Sequence, residues 1–212
     1  MSDDRLPVLS PPAERTDETT VRGVVLAAGL SSRFGEQNKL LESVDGRPVV
    51  WQATEPLLAV GLATTVILGH EADRVREALA NLDVAFRTNE AYEDGQSTSV
   101  REGVRAAAEA DAVLVALGDM PGVSPVTVRA LVATYEQTGR SALAAAHEGT
   151  RGNPVLFDRR HFEALTDRTG DVGGRAVLLG AGDGALVETG DPGVLRDVDK
   201  PGDLANERRE ER

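Results

Sequence analysis

A chain of 212 residues, 41% of them apolar, is long enough to bury one full core, and one domain is the natural count. The absence of cysteine excludes disulfides, a thiol nucleophile and cysteine-ligated metal. A formal charge of -12 argues against a nucleic-acid partner, because phosphate contacts need clustered Lys and Arg.

Residues 1–20, rich in Pro, Asp, Glu and Thr, read as a flexible tail with too little apolar surface to order itself. They carry acids and prolines where a signal peptide has its apolar segment, and no apolar run approaches the roughly 18 residues of a membrane span. The expectation is a cytoplasmic protein with no membrane partner. The folded domain is placed at residues 21–208, and 209–212 are a charged tail. Of 23 basic residues only Lys39 and Lys200 are lysines; acid excess with scarce lysine suits a protein that works at high salt.

The domain opens on Val24-Val25-Leu26-Ala27-Ala28-Gly29-Leu30-Ser31-Ser32-Arg33-Phe34-Gly35, with Lys39 beyond. Its first half is an unbroken aliphatic run, as in a parallel strand buried on both faces. Its second half is a small-residue loop with an arginine and a lysine to meet negative charge, read as a cradle for a nucleoside triphosphate. Gly29 and Gly35 enclose five residues and Lys39 precedes Leu40, so this is not a P-loop, and Leu30-Ser31 after Gly29 breaks the dinucleotide fingerprint.

Further along, Pro48 fits the start of a helix running to about Val60, ahead of Gly61. A strand at Thr64–Leu68 follows, then a helix from Ala72 to Asn81 with Val75, Ala78, Leu79 and Leu82 on one face, and a short strand at Val84–Phe86. The connection from Thr88 to Gln96 is long for a βα loop, which marks it as functional. Helix resumes near Ser97. Ala112–Leu117 is the most hydrophobic strand, placed at the sheet centre, and ends in Gly118-Asp119-Met120-Pro121. A helix from Pro125 to about Gln137 and a strand at Ala142–Ala146 complete a regular alternation that predicts a parallel α/β sheet with its crevice at the carboxyl ends of the strands. Later come a strand at Asn153–Phe157, a helix from Arg159 to Leu165, a helix opening after Gly170–Arg175, strands at Leu186-Val187 and Leu195–Val198, and a closing helix from Asp203.

Asp119, directly after a buried strand, either caps a turn or ligates a hard cation such as Mg²⁺, which takes one or two carboxylates along with substrate phosphates. Asp197 and Asp199 form a second candidate pair, since alternate strand residues point the same way; the plain alternative is a solvated acidic strand end. Asp171 and Arg175 have the spacing of a helix pair as well as of a site. Between Asn89 and Ser99, an amide, Gly95 and the hydroxyls of Ser97, Thr98 and Ser99 precede a helix: one hydroxyl suffices for a cap, and the others suit a base edge. His70, His147 and His161 are scattered without metal-ligand spacing.

Taken together, Leu26-Ala27-Ala28-Gly29-x-Ser31-Ser32-Arg33-x-Gly35 with Lys39, and Leu117-Gly118-Asp119-Met120-Pro121, resemble the signatures of the MobA-like nucleotidyltransferases. Arg151-Gly152-Asn153-Pro154-Val155, Gly170-Asp171-x-Gly173-Gly174-Arg175 and Asp197-Val198-Asp199-x-Pro201-x-Asp203-Leu204 are similar to those of their molybdenum cofactor cytidylyltransferase branch. Two departures are three residues, in place of two, between Gly35 and Lys39, and Phe34 in place of methionine. The resemblance implies a three-layer α/β/α nucleotidyltransferase fold with a mostly parallel, mixed sheet. It implies Mg²⁺-dependent transfer of CMP from CTP to the phosphate of molybdopterin cofactor, with release of pyrophosphate and a molybdoenzyme as recipient.

By the same resemblance, Arg33 and Lys39 grip the triphosphate, Leu26, Ala27, Ala28, Gly29, Ser31 and Ser32 cradle the nucleotide, and Asn89, Gly95, Ser97 and Ser99 serve the base. Asp119 binds Mg²⁺ with Asp199 as second ligand, Asp197 standing as the alternative. Asn153, Asp171 and Arg175 face the acceptor. Gly95-x-Ser97-x-Ser99 favours CTP over GTP. Transfer to another small phosphorylated acceptor, and a non-catalytic cofactor carrier, are the competing readings.

Overall fold

Apolar residues that alternate between the two faces of a strand need cover on both sides, and the computed structural model supplies it for every central strand. The structure describes residues 6–12, 15–16, 18–30, 38–167, 174–199 and 203. In chain order the elements are β1 (Val8–Leu9), β2 (Val21–Ala27), β3 (Ser43–Val44), β4 (Arg47–Pro48), α1 (Val49–Ala59), β5 (Thr64–Leu68), α2 (Ala72–Ala78), β6 (Ala85–Thr88), α3 (Gln96–Ala106), β7 (Ala112–Leu117), α4 (Pro125–Thr138), β8 (Ala142–His147), β9 (Thr150–Asp158), α5 (Phe162–Thr166), α6 (Arg175–Gly180) and β10 (Ala185–Glu188).

Eight strands form one sheet in the order β1-β10-β8-β9-β7-β2-β5-β6. Only β9 runs antiparallel to its neighbours β7 and β8, so the sheet is mostly parallel and mixed, as expected. The reason is local: β8 and β9 are joined through Glu148 and Gly149, both at positive φ (51° and 72°), the backbone of a tight hairpin turn that can only connect antiparallel strands. Val25, Leu68 and Leu114 face a core built with Leu57, Val75 and Leu131 of α1, α2 and α4. Val24, Ile67 and Val113 face the opposite core, built with Val104, Leu165 and Leu178 of α3, α5 and α6. The period of two along each strand therefore produces three layers. Gly103 permits the closest helix approach, because a Cβ there would lie 2.5 Å from Val24.

Three expectations need correction. The tail read over residues 1–20 is not wholly free: Val8 and Leu9 pair in parallel with Leu186 and Val187, and Thr16 donates its backbone N–H to Glu136 on α4. A few apolar residues suffice there because they cover an otherwise open sheet edge. The strand expected at Leu195–Val198 is a 3₁₀ turn (Pro192–Leu195) followed by unpaired extended chain, since side-chain bonds from Asp191 hold this segment in place of a ladder. The helix expected over Arg159–Leu165 begins as a 3₁₀ turn and becomes α only at Phe162. The tail expected at 209–212 lies outside the described residues. Among the described residues no helix is long and apolar enough to cross a membrane.

Candidate active site

The parallel strands β2, β5 and β7 end at one edge of the sheet, and two glycines set how closely their exits pass. Gly118 donates its N–H to the Leu26 carbonyl at 2.9 Å, and a Cβ on Gly69 would lie 2.7 Å from that of Ala28. Above these exits lies a cavity of about 430 Å³ lined by Ala28, Gly29, Lys39, Gly95, Ser99 and Asp119, among others. Leu26 lines it too, whereas Ala27 is buried in the core. Ser31, Ser32, Arg33 and Asp171 lie outside the described residues.

Lys39 enters this cavity from a short 3₁₀ turn, Lys39–Leu41, anchored by buried Leu40 and by the Asn38 side chain accepting the Leu40 N–H. Its Nζ lies 2.7 Å from Asp119 Oδ2 and 3.1 Å from Asp199 Oδ1. Burial disfavours the ammonium, but the charge and hydrogen bond of Asp119, joined by those of Asp199, outweigh it and hold the Lys39 pKa above the usual lysine value. Asp119, Asp197 and Asp199 each offer a carboxylate oxygen within 4.8 Å of the others. Burial, then the charges of Asp199 and Asp119, raise the pKa of Asp197. Clustered hard oxygen donors whose mutual repulsion needs a counter-charge fit a divalent cation of the Mg²⁺ or Mn²⁺ type.

The three carboxylates converge although the segment bearing two of them is not a strand. A Cβ on Gly193 would collide with the carbonyl of Gly122, and one on Gly152 would lie 2.7 Å from the Val194 carbonyl carbon and nearer still to its oxygen. Segment 192–199 thus threads between the turn after Asp119 and strand β9 at two points where only glycine fits. Val198 then donates its N–H to the Asp119 carbonyl at 2.9 Å and buries its side chain against Val44 and Val49. With Val198 pinned inward, Asp197 and Asp199 flank it beside Asp119. The turn at Asp119 is closed by backbone, Met120 N–H to Leu117 O at 3.3 Å, while the Asp119 carboxylate meets Lys39.

The segment read for the base divides into support and lining. Asn89, 3% exposed, donates to Thr98 Oγ1 (2.8 Å) and Ser99 Oγ (3.0 Å) and accepts the Ala91 N–H. Its polar atoms are consumed in bracing the loop, and it does not line the cavity. Ser97, 1% exposed, is likewise buried beneath it. Gly95 and Ser99 do line it, together with Gln96, Tyr92 and Glu93, which the sequence reading passed over. Position 96 is one of the two variable positions in the Gly95-x-Ser97-x-Ser99 pattern, so the pattern itself carried no signal for it.

A second cavity of about 440 Å³ adjoins the first. Asn153 and Arg175, both expected to face an acceptor, line it with Arg151, Val155 and Phe157. Gly174 lies flat on the Phe157 ring, where a Cβ would meet Cζ at 2.5 Å. Elsewhere, His161 Nε2 contacts Ser141 Oγ at 2.8 Å, and Ser141 donates to Asp183. This trio is not a hydrolytic triad: the carboxylate engages the serine and not the histidine, and Ser141 and Asp183 precede β8 and β10, at the edge opposite the crevice.

Comparison with known proteins agrees with this geometry. The model of the MobA-like NTP transferase domain matches residues 23–185. Nicotine blue oxidoreductase of Paenarthrobacter nicotinovorans is 36% identical over 172 residues, covering 77% of this chain and 83% of that protein. Among solved structures, a nucleotidyl transferase from Methanothermobacter thermautotroptrophicus superposes with a TM-score of 0.77 at 27% identity, covering 89% of this chain and 96% of that one. A manganese complex of Rv0371c from Mycobacterium tuberculosis H37Rv superposes with a TM-score of 0.73 at 26% identity, covering 91% and 100%. Strand order, crevice position and these likenesses lead to one conclusion: the chain belongs to the MobA-like NTP transferase family.

Proposed function

We propose that this nucleotidyltransferase moves CMP from CTP onto the phosphate of molybdopterin cofactor, with Mg²⁺ as its cation, and releases pyrophosphate. The observation that carries the reading is the pair of adjoining cavities, the first lined by Asp119 of the carboxylate trio, a layout suited to a donor and an acceptor meeting end to end. Lys39, with Arg33, binds the triphosphate; Gly95 and Ser99 meet the base, and their pattern's likeness to the cytidylyl branch supports CTP. Arg151 and Arg175 suit an anionic acceptor, and Asn153 suits the polar edge of a heterocycle, which supports a pterin phosphate.

Asp119 and Asp199, with Asp197, hold the cation, which neutralises charge on the triphosphate and on the departing pyrophosphate. A phosphate oxygen of the acceptor forms the new bond to the α-phosphorus as the bond to the β-phosphate oxygen breaks. That oxygen is already anionic, so the site needs positioning and charge neutralisation more than a general base. The product is destined for a molybdoenzyme.

Pyrophosphate release from CTP and GTP, with and without molybdopterin cofactor and Mg²⁺, tests the reading. Release that needs CTP, cofactor and Mg²⁺ is expected, and Asp119→Ala lowers it by about 10²–10³. Release from GTP alone overturns the base assignment, and release only with a sugar phosphate overturns the acceptor. Cofactor binding without release makes the protein a carrier. Consumption of NADH or NADPH in place of release would instead align it with the relative named an oxidoreductase.

A further inference from the structure

The two cavities share three lining residues, Leu26, Gln96 and Leu117. Leu26 and Leu117 belong to neighbouring strands and have wholly apolar side chains. Gln96 therefore presents the one polar side chain on the wall common to both cavities, among the described residues. It is the first residue of α3 and solvent-exposed, and among the described residues no protein group hydrogen-bonds its carboxamide.

Its placement is tightly determined by what precedes and follows it. Gly95 has φ 107° and ψ 170°, a conformation open almost only to glycine, and a residue with that freedom keeps one geometry only where its surroundings hold it. They do so here: the Gly95 carbonyl accepts both the N–H and the hydroxyl of Thr98, at 3.2 and 2.8 Å, while Thr98 and Ser99 are fastened to buried Asn89. The close seat of Gly103 on Val24 fixes the helix behind. A rigid support of this kind is what a group needs to hold reacting atoms in register.

We propose that Gln96 is the residue that joins donor and acceptor, its carboxamide contacting the α-phosphate of the bound nucleotide and the acceptor phosphate at once. The inference rests on the transferase reading of the two cavities. The chemistry suits the position. A carboxamide offers two N–H donors and one carbonyl acceptor without charge, so it donates to phosphate oxygens on both sides without repelling them and without competing for the cation. Its help is greatest on the way to the transition state: the attacking oxygen must start about 3–3.5 Å from the α-phosphorus and in line, and charge then gathers on the oxygens around that phosphorus.

The test uses the full chain and its Gln96→Ala and Gln96→Glu variants. Calorimetry with the non-transferable analogue α,β-methylene-CTP, with and without molybdopterin cofactor, measures how far each ligand alters the other's affinity, and pyrophosphate release gives kcat and KM. Gln96→Ala is expected to bind the analogue alone within about twofold of the parent, to lose the coupling between the ligands, and to lower kcat about 10²-fold. Gln96→Glu is expected to be slower still, with an anion set against phosphate. A kcat within threefold of the parent, a loss confined to nucleotide affinity, or a parent chain that binds the two ligands independently each overturns the proposal. A parent chain that shows coupling sensitive to Gln96 but releases no pyrophosphate overturns the transferase reading and leaves the junction role standing.

Discussion

Gly152→Ala probes how the carboxylate trio is assembled, and its size follows from the contact it creates. The added methyl would sit 2.7 Å from the Val194 carbonyl carbon, whereas ordinary contact begins at 3.4 Å, so segment 192–199 and strand β9 must part by about 1 Å in a close-packed interior. Strand β9 is held on both sides by β7 and β8. The yielding partner is the segment, which is tied by isolated bonds from Asp191 and by Val198. Asp197 and Asp199 then shift relative to Asp119 by a similar distance, and a misplacement of about 1 Å costs on the order of 10²-fold in rate. Global stability falls by about 1–3 kcal/mol, as for other overpacked sites. Mn²⁺ titration followed by electron paramagnetic resonance, together with pyrophosphate release, measures the two losses, and a thermal melt confirms that the variant folds. Gly180→Ala, where a Cβ has nothing within 4 Å, is the control and is expected to match the parent. If Gly152→Ala keeps parental Mn²⁺ affinity and turnover, the idea that glycine seats set the metal geometry is wrong.

Lys39→Met removes the ammonium that bonds Asp119 and Asp199; if these carboxylates hold the proposed cation, Mn²⁺ affinity without nucleotide is expected to rise about 10-fold as the competition ends, while triphosphate affinity falls, and unchanged values for both would refute the sharing. Asp183, whose carboxylate accepts from the Ser141 hydroxyl and N–H, titrates below the usual 3.8: burial raises its pKa, but the Ser141 bonds outweigh it. A depressed carboxylate stabilises the fold above its unfolded pKa and loses that contribution as pH falls through the folded one. Asp183→Asn should therefore cost about 1–2 kcal/mol near pH 7, and urea melts should find the difference closing below about pH 4. Asn89→Leu deletes the bonds to Thr98 Oγ1, Ser99 Oγ and the Ala91 N–H and is expected to destabilise by about 2–3 kcal/mol and raise the nucleotide KM, as melts and kinetics would report. Stability measured from low to molar KCl should increase for a chain this acidic; salt independence would remove the high-salt reading.

Most of the three-layer order was legible because its signals are local. Ala112–Leu117 was read with the bounds the structure gives it, and the strand at Thr64–Leu68 likewise, since unbroken aliphatic runs between turn residues leave few alternatives. The pinned strand at Val8–Leu9 was not legible: two residues carry no periodicity, and their pairing depends on an open edge more than 170 residues away in sequence, at Leu186 and Val187. The Asn89 assignment shows a different limit. Chemistry-bearing residue types are visible in this loop from the sequence, but which of them face the cavity depends on how the loop is braced, and the fold spends Asn89 and Ser97 beneath it while Ser99 and Gln96 come to the wall.

Composition and hydrophobic period by themselves determined an α/β sheet with its crevice at the carboxyl ends of the strands, because those features act over a few residues and repeat their message along the chain; the transferase class came from the resemblance that the loop motifs carry. Tertiary structure alone decided that Asp197 and Asp199 meet Asp119 without the help of a strand, through glycine seats at 152 and 193 and a buried Val198. It alone placed Gln96 on the wall between two cavities. Both are matters of which distant segments touch, and the energy that selects them lies in packing contacts, one side chain against another, that a linear pattern does not encode.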